Sequence, residues 1–302
     1  MPTPPPSRPA SFRKPRLLVV GCGDVGQRVL AQLGGRYRVA ALASQPSRLQ
    51  ALRALGARPL LGDLDRPATL GRLGALAPRV LHLAPPPGSG EGDPRTVALL
   101  RALARGGVTR RIVYGSTSGV YGDTGGARFD ETRAVAPATA RARRRVAAEA
   151  QLRWHGRACG VRVTLLRIPG IYATDRPGGA PRERVVRGTP VLAAHEDVYT
   201  NHIHADDLAR CCIAALHRGR PQRVVHASDD TEMKMGDYFD LVADLAGLPR
   251  PPRITRAAAG EAISPVGLSF MSESRRLLNR RLHEELRVVL RYPTVREGLI
   301  GG

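Results

Sequence analysis

The stretch Arg16-Leu-Leu-Val-Val-Gly-Cys-Gly-Asp-Val-Gly-Gln-Arg-Val-Leu30 decides how this chain is read. Leu17–Val20 is an unbroken apolar run, the pattern of a strand buried on both faces. Behind it Val25, Val29, Leu30 and Leu33 recur at helical spacing. Between strand and helix stand Gly21, Gly23 and Gly26, spaced as G-x-G-x-x-G. Gly21 permits a tight turn, Gly23 lets backbone N–H groups approach a pyrophosphate, and Gly26 lets the helix pack closely on the strand. The phosphates would then lie at the positive end of the helix dipole. In a chain with 33 glycines the spacing alone says little, and a structural turn is the alternative. Its place between a strand and a helix is what points to a dinucleotide.

Working outward, strand and helix patterns alternate. A second strand is expected over Tyr37–Ala43, a helix around Ser47–Leu55 and a short strand over Arg58–Leu61. A fourth strand, Arg79–Ala84, must stop at Pro85-Pro86-Pro87, because proline cannot continue a central ladder. A helix over Thr96–Ala104 leads to a fifth strand, Arg111–Tyr114. A loop to about Pro137, an arginine-rich helix to about Trp154 and a sixth strand, Val161–Arg167, follow. Repeated βα units predict an α/β Rossmann fold, a doubly wound parallel sheet with right-handed crossovers and ligands at the carboxyl ends of its strands. Residues 16–172 are expected to be the nucleotide-binding domain. Residues 173–302 are expected to interleave the last sheet elements, including Arg223–Ala227, with a small C-terminal substrate-side lobe. Residues 1–15 read as a disordered Pro-rich tail.

With 42% hydrophobic residues in 302, the chain can bury a proper core. No apolar stretch approaches the roughly 20 residues of a membrane helix, and prolines stand where a secretory leader needs an apolar centre. No membrane association and a cytoplasmic location are expected. Cys22, Cys159, Cys211 and Cys212 lack metal-ligand spacing, so no metal is expected. The formal charge of +21 suggests a polyanion partner. However, only Lys14 and Lys234 are lysines among 47 basic residues, a compositional bias that needs no binding face to explain it. Aromatics are 4%, with no strand patterned for base stacking, so no specific nucleic acid is expected as the main partner. The densest basic cluster is Arg141, Arg143, Arg144 and Arg145.

The second strand bears on cofactor choice. An NAD-selective domain usually ends it with Asp or Glu, which accepts from the ribose 2′-hydroxyl. Here the stretch reads Ala41-Leu42-Ala43-Ser44-Gln45-Pro46-Ser47-Arg48, with no carboxylate to repel a 2′-phosphate. Ser44 and Arg48 are placed to hold that phosphate, so NADP is expected, with NAD as the alternative. A solvated helix residue is the other reading of Arg48.

Further motifs follow in order: Gly62-Asp63-Leu64, Ser116-Thr117-Ser118-Gly119-Val120-Tyr121-Gly122, and Val146-Ala147-Ala148-Glu149. Then come Arg167-Ile168-Pro169-Gly170-Ile171-Tyr172, His204-Ala205-Asp206-Asp207-Leu208-Ala209, and Arg291–Leu299. Together with the glycine turn, across about residues 16–298, these resemble the short-chain dehydrogenase/reductase superfamily in its extended or atypical branch, near the NAD-dependent epimerase/dehydratases. The resemblance implies that Gly21, Gly23, Asp24, Val25 and Gly26 hold the pyrophosphate and that Asp63 and Leu64 flank the adenine. It implies that Leu83, Ala84 and Pro85 line the ribose and nicotinamide side, and that Pro169 and Gly170 border the nicotinamide. Thr117 falls at the family's catalytic Ser/Thr position, four residues before Tyr121, with a capped strand end as the structural alternative.

Two departures stand out. Val20 replaces the first glycine of the extended branch's G-x-x-G-x-x-G. Counting back from Val146-Ala147-Ala148-Glu149, the family's YxxxK pair falls on Arg141 and Arg145. A guanidinium has no acceptor and does not release its proton near neutral pH, so Arg141 cannot be the general acid or base. Arg145 can still bind a ribose or a phosphate; a solvated arginine face is the alternative for both. The resemblance thus implies an oxidoreductase or epimerase/dehydratase acting on a small, sugar-like substrate with a displaced proton donor. Thr117, Tyr121, Tyr172, His202 and His204 are the candidates. His204, just before Asp206-Asp207, reads foremost as a helix start. The competing readings are a non-catalytic NAD(P)-binding sensor or scaffold and an RNA- or polyanion-binding protein.

Overall fold

A computed structural model describes residues 14–176 and 178–301, so the expected tail, apart from Lys14 and Pro15, lies outside the described residues. Seven parallel strands form the central sheet: β1 (Arg16–Val20), β2 (Arg38–Ala43), β3 (Arg58–Leu61), β4 (Arg79–His82), β5 (Arg111–Thr117), β6 (Arg162–Ile168) and β7 (Arg223–His226). Their order is β7-β6-β5-β4-β1-β2-β3. The order reverses between β1 and β4, the switch point at which doubly wound sheets open a crevice. This is the predicted α/β Rossmann-like fold.

Helices α1 (Asp24–Leu33), α2 (Arg48–Ala54), α3 (Pro94–Gly106) and α4 (Ala140–Ala158) connect these strands. After β6 come α5 (Pro181–Val186), α6 (Ala205–Arg218) and, beyond β7, α7 (Met235–Ala246). The apolar run of β1 is explained by its two covered faces. Leu17 and Val19 pack into a core with Val29, Leu30 and Leu33 of α1 and Leu208, Cys212 and Leu216 of α6. Leu18 and Val20 pack the other way, with Leu99, Leu100 and Leu103 of α3 and Leu152 of α4. A separate apolar cluster gathers Tyr172, Val185, Val191, Tyr238, Phe239 and Val242. Short strand pairs accompany it, among them Gly170–Tyr172 beside His202–His204.

The strands of the central sheet and the helices between them match the sequence reading, with boundaries that move for local reasons, whereas the expected loop to about Pro137 holds a short strand at Arg128–Phe129. β4 ends at His82, two residues early, where Leu83 and Ala84 N–H turn to share Val20 O at 2.7 and 3.1 Å. β5 runs three residues past Tyr114, because Gly115, Ser116 and Thr117 continue pairing with Leu166, Arg167 and Ile168. α3 starts at Pro94, before the expected Thr96, because Asp93 caps it by accepting from Thr96 N at 3.1 Å. α4 runs on from Trp154 to Ala158.

Candidate functional site

The glycine turn joins β1 to α1 at the switch point. Gly21 has φ +87°, and a Cβ there would lie 2.2 Å from Ala84 N and 2.6 Å from its Cα. The turn is therefore pressed against the end of β4, which the sequence pattern alone did not disclose. Gly23 is the opposite case, with no atom within 4 Å of where its Cβ would be. Gly26 would bring a Cβ to 3.2 Å from Cys22 Sγ and 3.3 Å from Gly21 O, so α1 sits close on the turn. The open space at Gly23 belongs to a 310 Å³ cleft lined by Gly21, Asp24, Val25, Gly26, Leu83, Thr117, Arg145 and Pro169 among others. A cradle that only a missing Cβ leaves open, at a helix N-terminus, suits a pyrophosphate.

Two arginines missed by the sequence reading govern the charge at this turn. Asp24 stands in the first turn of α1, and its carboxylate is held by Arg28 and Arg176, each at 3.1 Å. Arg28 also reaches Asp175 and Asp206, both at 2.6 Å. Arg176 donates to Ile171 O at 2.8 Å and lines both the cleft and a neighbouring cavity. Arg28 to Asp24 is a local pair, but the contacts of Arg28 with Asp175 and Asp206 and of Arg176 with Asp24 span 147 to 178 residues of sequence, so no local pattern announced those three.

On the other flank Ser44 is exposed at the end of the β2 turn, and Arg48 donates to Cys22 O at 3.0 Å, inside the glycine turn. Arg48 is thus tied to the backbone of the glycine turn rather than free on a helix face. Asp63 closes a local turn, its Oδ1 accepting from Asp65 N at 2.9 Å, while Leu64 is buried. Ala84 is buried too, and Pro85 O accepts from Arg95 at 3.2 Å.

Thr117 ends β5. Its Oγ1 accepts from Gly119 N at 3.2 Å, the capped strand end, yet the residue also lines both cavities. Beneath it Ser116 donates to Glu149 Oε1 at 2.6 Å, and Arg167 grips the same carboxylate with two bonds of 3.1 and 2.7 Å. The arginine cluster of α4 is not one solvated face. Arg144 is buried and donates to Gly90 O at 2.8 Å. Arg145 donates to Tyr114 Oη at 2.9 Å and Gly115 O at 2.6 Å at the wall of the cleft. Arg141 lies over the Phe270 ring, 4.8 Å from its centre, in the second cavity.

That second cavity measures 510 Å³ and meets the first at Thr117, Pro169, Ile171 and Arg176. It sorts the proton-donor candidates. Tyr121 is 1% exposed, lines neither cavity, and bonds His226 Nε2 at 2.6 Å. His226 Nδ1 lies 2.8 Å from Leu278 O, an acceptor, so Nδ1 carries the hydrogen and Tyr121 donates to Nε2. Burial keeps that imidazole neutral, pushing its pKa down to about 4. His204 caps α6, its Nδ1 accepting from Asp206 N at 3.2 Å, as the sequence suggested. The adjoining Asp207 accepts from Arg291 N and Tyr292 N, both at 2.8 Å, which joins two of the sequence motifs structurally. Tyr172 reaches the second cavity, but its hydroxyl turns to Thr294 O at 3.4 Å. His202 lines the same cavity, stacked on Tyr238 with centres 4.1 Å apart, and burial pushes its pKa down to about 3. Among the described residues no three His, Cys, Asp or Glu side chains group as a metal site, and no helix is long and apolar enough to cross a membrane.

With this geometry in place, likeness to known proteins is informative. A conserved protein of unknown function from Silicibacter pomeroyi is 32% identical, with TM-score 0.79 over 95% of this chain and 97% of its own. UDP-glucose 4-epimerase from Thermotoga maritima, solved with UDP-glucose, is 20% identical with TM-score 0.76, over 94% and 96%. dTDP-glucose 4,6-dehydratase from Bacillus anthracis, solved with NAD, is 15% identical with TM-score 0.75, over 94% of each chain. These last two share the fold. No curated protein matches the sequence. The profile of the NAD-dependent epimerase/dehydratase family matches residues 17–227, and the chain belongs to that family.

Proposed function

We propose that the chain is an NADP-binding enzyme of the oxidoreductase or epimerase/dehydratase type, acting on a small, sugar-like substrate. The observation that carries this reading is the pair of cavities that meet at Thr117 and Pro169, one against the glycine turn and one beyond it. Residues 16–172 act as the nucleotide domain, and 173–302 interleave the last sheet elements with a substrate lobe. Gly21, Gly23, Val25 and Gly26 hold the pyrophosphate, with Asp24 contributing its backbone because its carboxylate is tied to Arg28 and Arg176. Asp63 and Leu64 flank the adenine; Leu83, Ala84, Pro85, Pro169 and Gly170 border the ribose and nicotinamide. Arg145 is held by one amino group, and its remaining N–H groups serve the ribose or a phosphate. A bound nicotinamide supplies a hydride acceptor and donor. Thr117 orients the substrate oxygen.

Calorimetric titration with NADP and NAD, followed by UDP-glucose and dTDP-glucose as first substrates, tests the reading. If neither cofactor binds the folded protein, the reading fails. NADP should bind more tightly than NAD, and Arg48→Ala combined with Ser44→Ala should cost NADP roughly tenfold or more, the worth of charge-assisted bonds to a phosphate. Equal losses for both cofactors would show that neither residue meets the 2′-phosphate.

A second reading, cofactor binding without turnover, is supported by Arg141 and Arg145 in place of the tyrosine and lysine. Loss of a positioned proton donor typically costs about 10²–10⁴-fold in rate. Turnover is therefore expected to be slow, followed through absorbance of the reduced nicotinamide. Fast turnover that survives Thr117→Ala, Tyr121→Phe and Tyr172→Phe together would place the proton donor elsewhere.

A further inference from the structure

We propose that the second cavity takes an oxyanionic substrate, a phosphate ester or a carboxylate, gripped by Arg141 of α4 and Arg184 of α5. Arg141 would then be an anion anchor at the position where family members carry the proton-donating tyrosine. The proposal rests on reading the adjoining cleft as the cofactor site, and it concerns what lies beyond that cleft.

The cavity is walled by Arg141, Arg176, Arg184, Arg187 and Arg275, against only Glu183 and Glu273. Both acids are paired with arginines, Glu183 with Arg187 at 3.9 Å and Glu273, through Oε2 alone, with Arg275; Glu273 Oε1 and Arg275 Nε are buried without hydrogen-bond partners among the described residues. Arg176 is satisfied by Asp24 from outside the cavity. That leaves Arg141 and Arg184, neither of which forms an ion pair among the described residues.

Arg184 is the more telling of the two. Among the described residues its Nε is buried without a hydrogen-bond partner, and its one hydrogen bond is to Pro190 O at 3.3 Å. The guanidinium lies 4.3 Å over the Phe239 ring. Burial, and then the neighbouring Arg187, push its pKa below the usual arginine value. A cation withdrawn from water beside another cation is costly unless an anion completes it.

Arg141 is presented differently. Its contact is with the face of Phe270, 4.8 Å from the ring centre, and none of its N–H groups has a hydrogen-bond partner among the described residues. Cation–π contact uses the flat face of the guanidinium and leaves the in-plane N–H fork for a ligand. That fork matches the two oxygens of a carboxylate or phosphate. The other walls carry no further charge that would compensate: His202 is held neutral by burial, and Tyr238, Phe239 and Met235 are bulky and largely apolar.

Glucose 6-phosphate, gluconate and glucose share one carbon skeleton and differ in charge. The full chain, saturated with NADP, is titrated with each at about 150 mM salt, where long-range attraction to a basic protein is screened. At least one anion should bind about tenfold or more tightly than glucose, and which one does so distinguishes phosphate from carboxylate. Arg141→Ala and Arg184→Ala should each remove roughly tenfold of that affinity, the scale of a charge-assisted bond, with NADP affinity unchanged. Arg143→Ala, on the same helix, lies outside the lining of the cavity and should change nothing. Equal binding of all three sugars, binding of neither anion, or full affinity in both variants would overturn the proposal. Failure of the wild type to bind NADP or NAD would instead count against the cofactor reading, and the anion preference can still be measured without cofactor.

Discussion

Gly23→Asp is expected to fold as the wild type does and to lose dinucleotide affinity by about three decades. The fold should survive because no atom lies within 4 Å of the Cβ position and φ is −79°, on the side open to every residue. Affinity should fall because the new carboxylate would enter the space the pyrophosphate needs. Two like charges about 4 Å apart, at an effective dielectric of about 20, repel by about 4 kcal/mol, or roughly a thousandfold in Kd. Asp24 offers no such repulsion in the wild type, since Arg28 and Arg176 neutralise it. The measurement is a cofactor titration beside circular dichroism and a melting curve. Unchanged affinity in a folded Gly23→Asp variant would remove the glycine turn from the cofactor site.

Two residues earlier, the smallest possible change should do the reverse. Gly21→Ala is expected to destabilise the protein by about 2–6 kcal/mol, summing roughly 1–3 for a strained positive φ and roughly 1–3 for overpacking. The neighbours that a Cβ would strike are backbone atoms, Ala84 N, Ala84 Cα and Leu83 C, all within 2.7 Å. A side chain can swing aside, but the end of β4 cannot, because Leu83 and Ala84 are bonded to Val20 O. Against a total stability of about 5–15 kcal/mol this is a large share. The urea midpoint should fall with little change in slope, and expression as aggregate would be the extreme form of the same result. A midpoint shift worth under about 1 kcal/mol would show that β1 and β4 can separate at this point.

The contrast between these two glycines marks where sequence reading ends. Spacing identified both, because strand, turn and helix have short-range signatures: unbroken apolar residues for a strand covered on both faces, and a 3.6-residue recurrence for α1. Proline after β4 and the repeated βα unit fixed the order of elements, and hence a parallel sheet with its ligands at the carboxyl ends. The departures at Arg141 and Arg145 were equally legible, because once the family resemblance supplies the YxxxK pattern they follow from counting back from Val146-Ala147-Ala148-Glu149.

What the tertiary structure alone decided is which polar groups meet. Tyr121 looked as available for proton transfer as Tyr172 until packing placed it against His226, 105 residues away, and turned the Tyr172 hydroxyl toward Thr294. Arg176 was one arginine among many until it was brought to Asp24 at the cleft. Arg184 gained interest only when burial left its Nε without a hydrogen-bond partner among the described residues. Backbone patterns are encoded by neighbours within a few residues, so a linear reading recovers them. The charge balance of a cavity is set by side chains that folding assembles from distant segments, and in a chain with arginines throughout only their positions in space distinguish the paired from the unpaired.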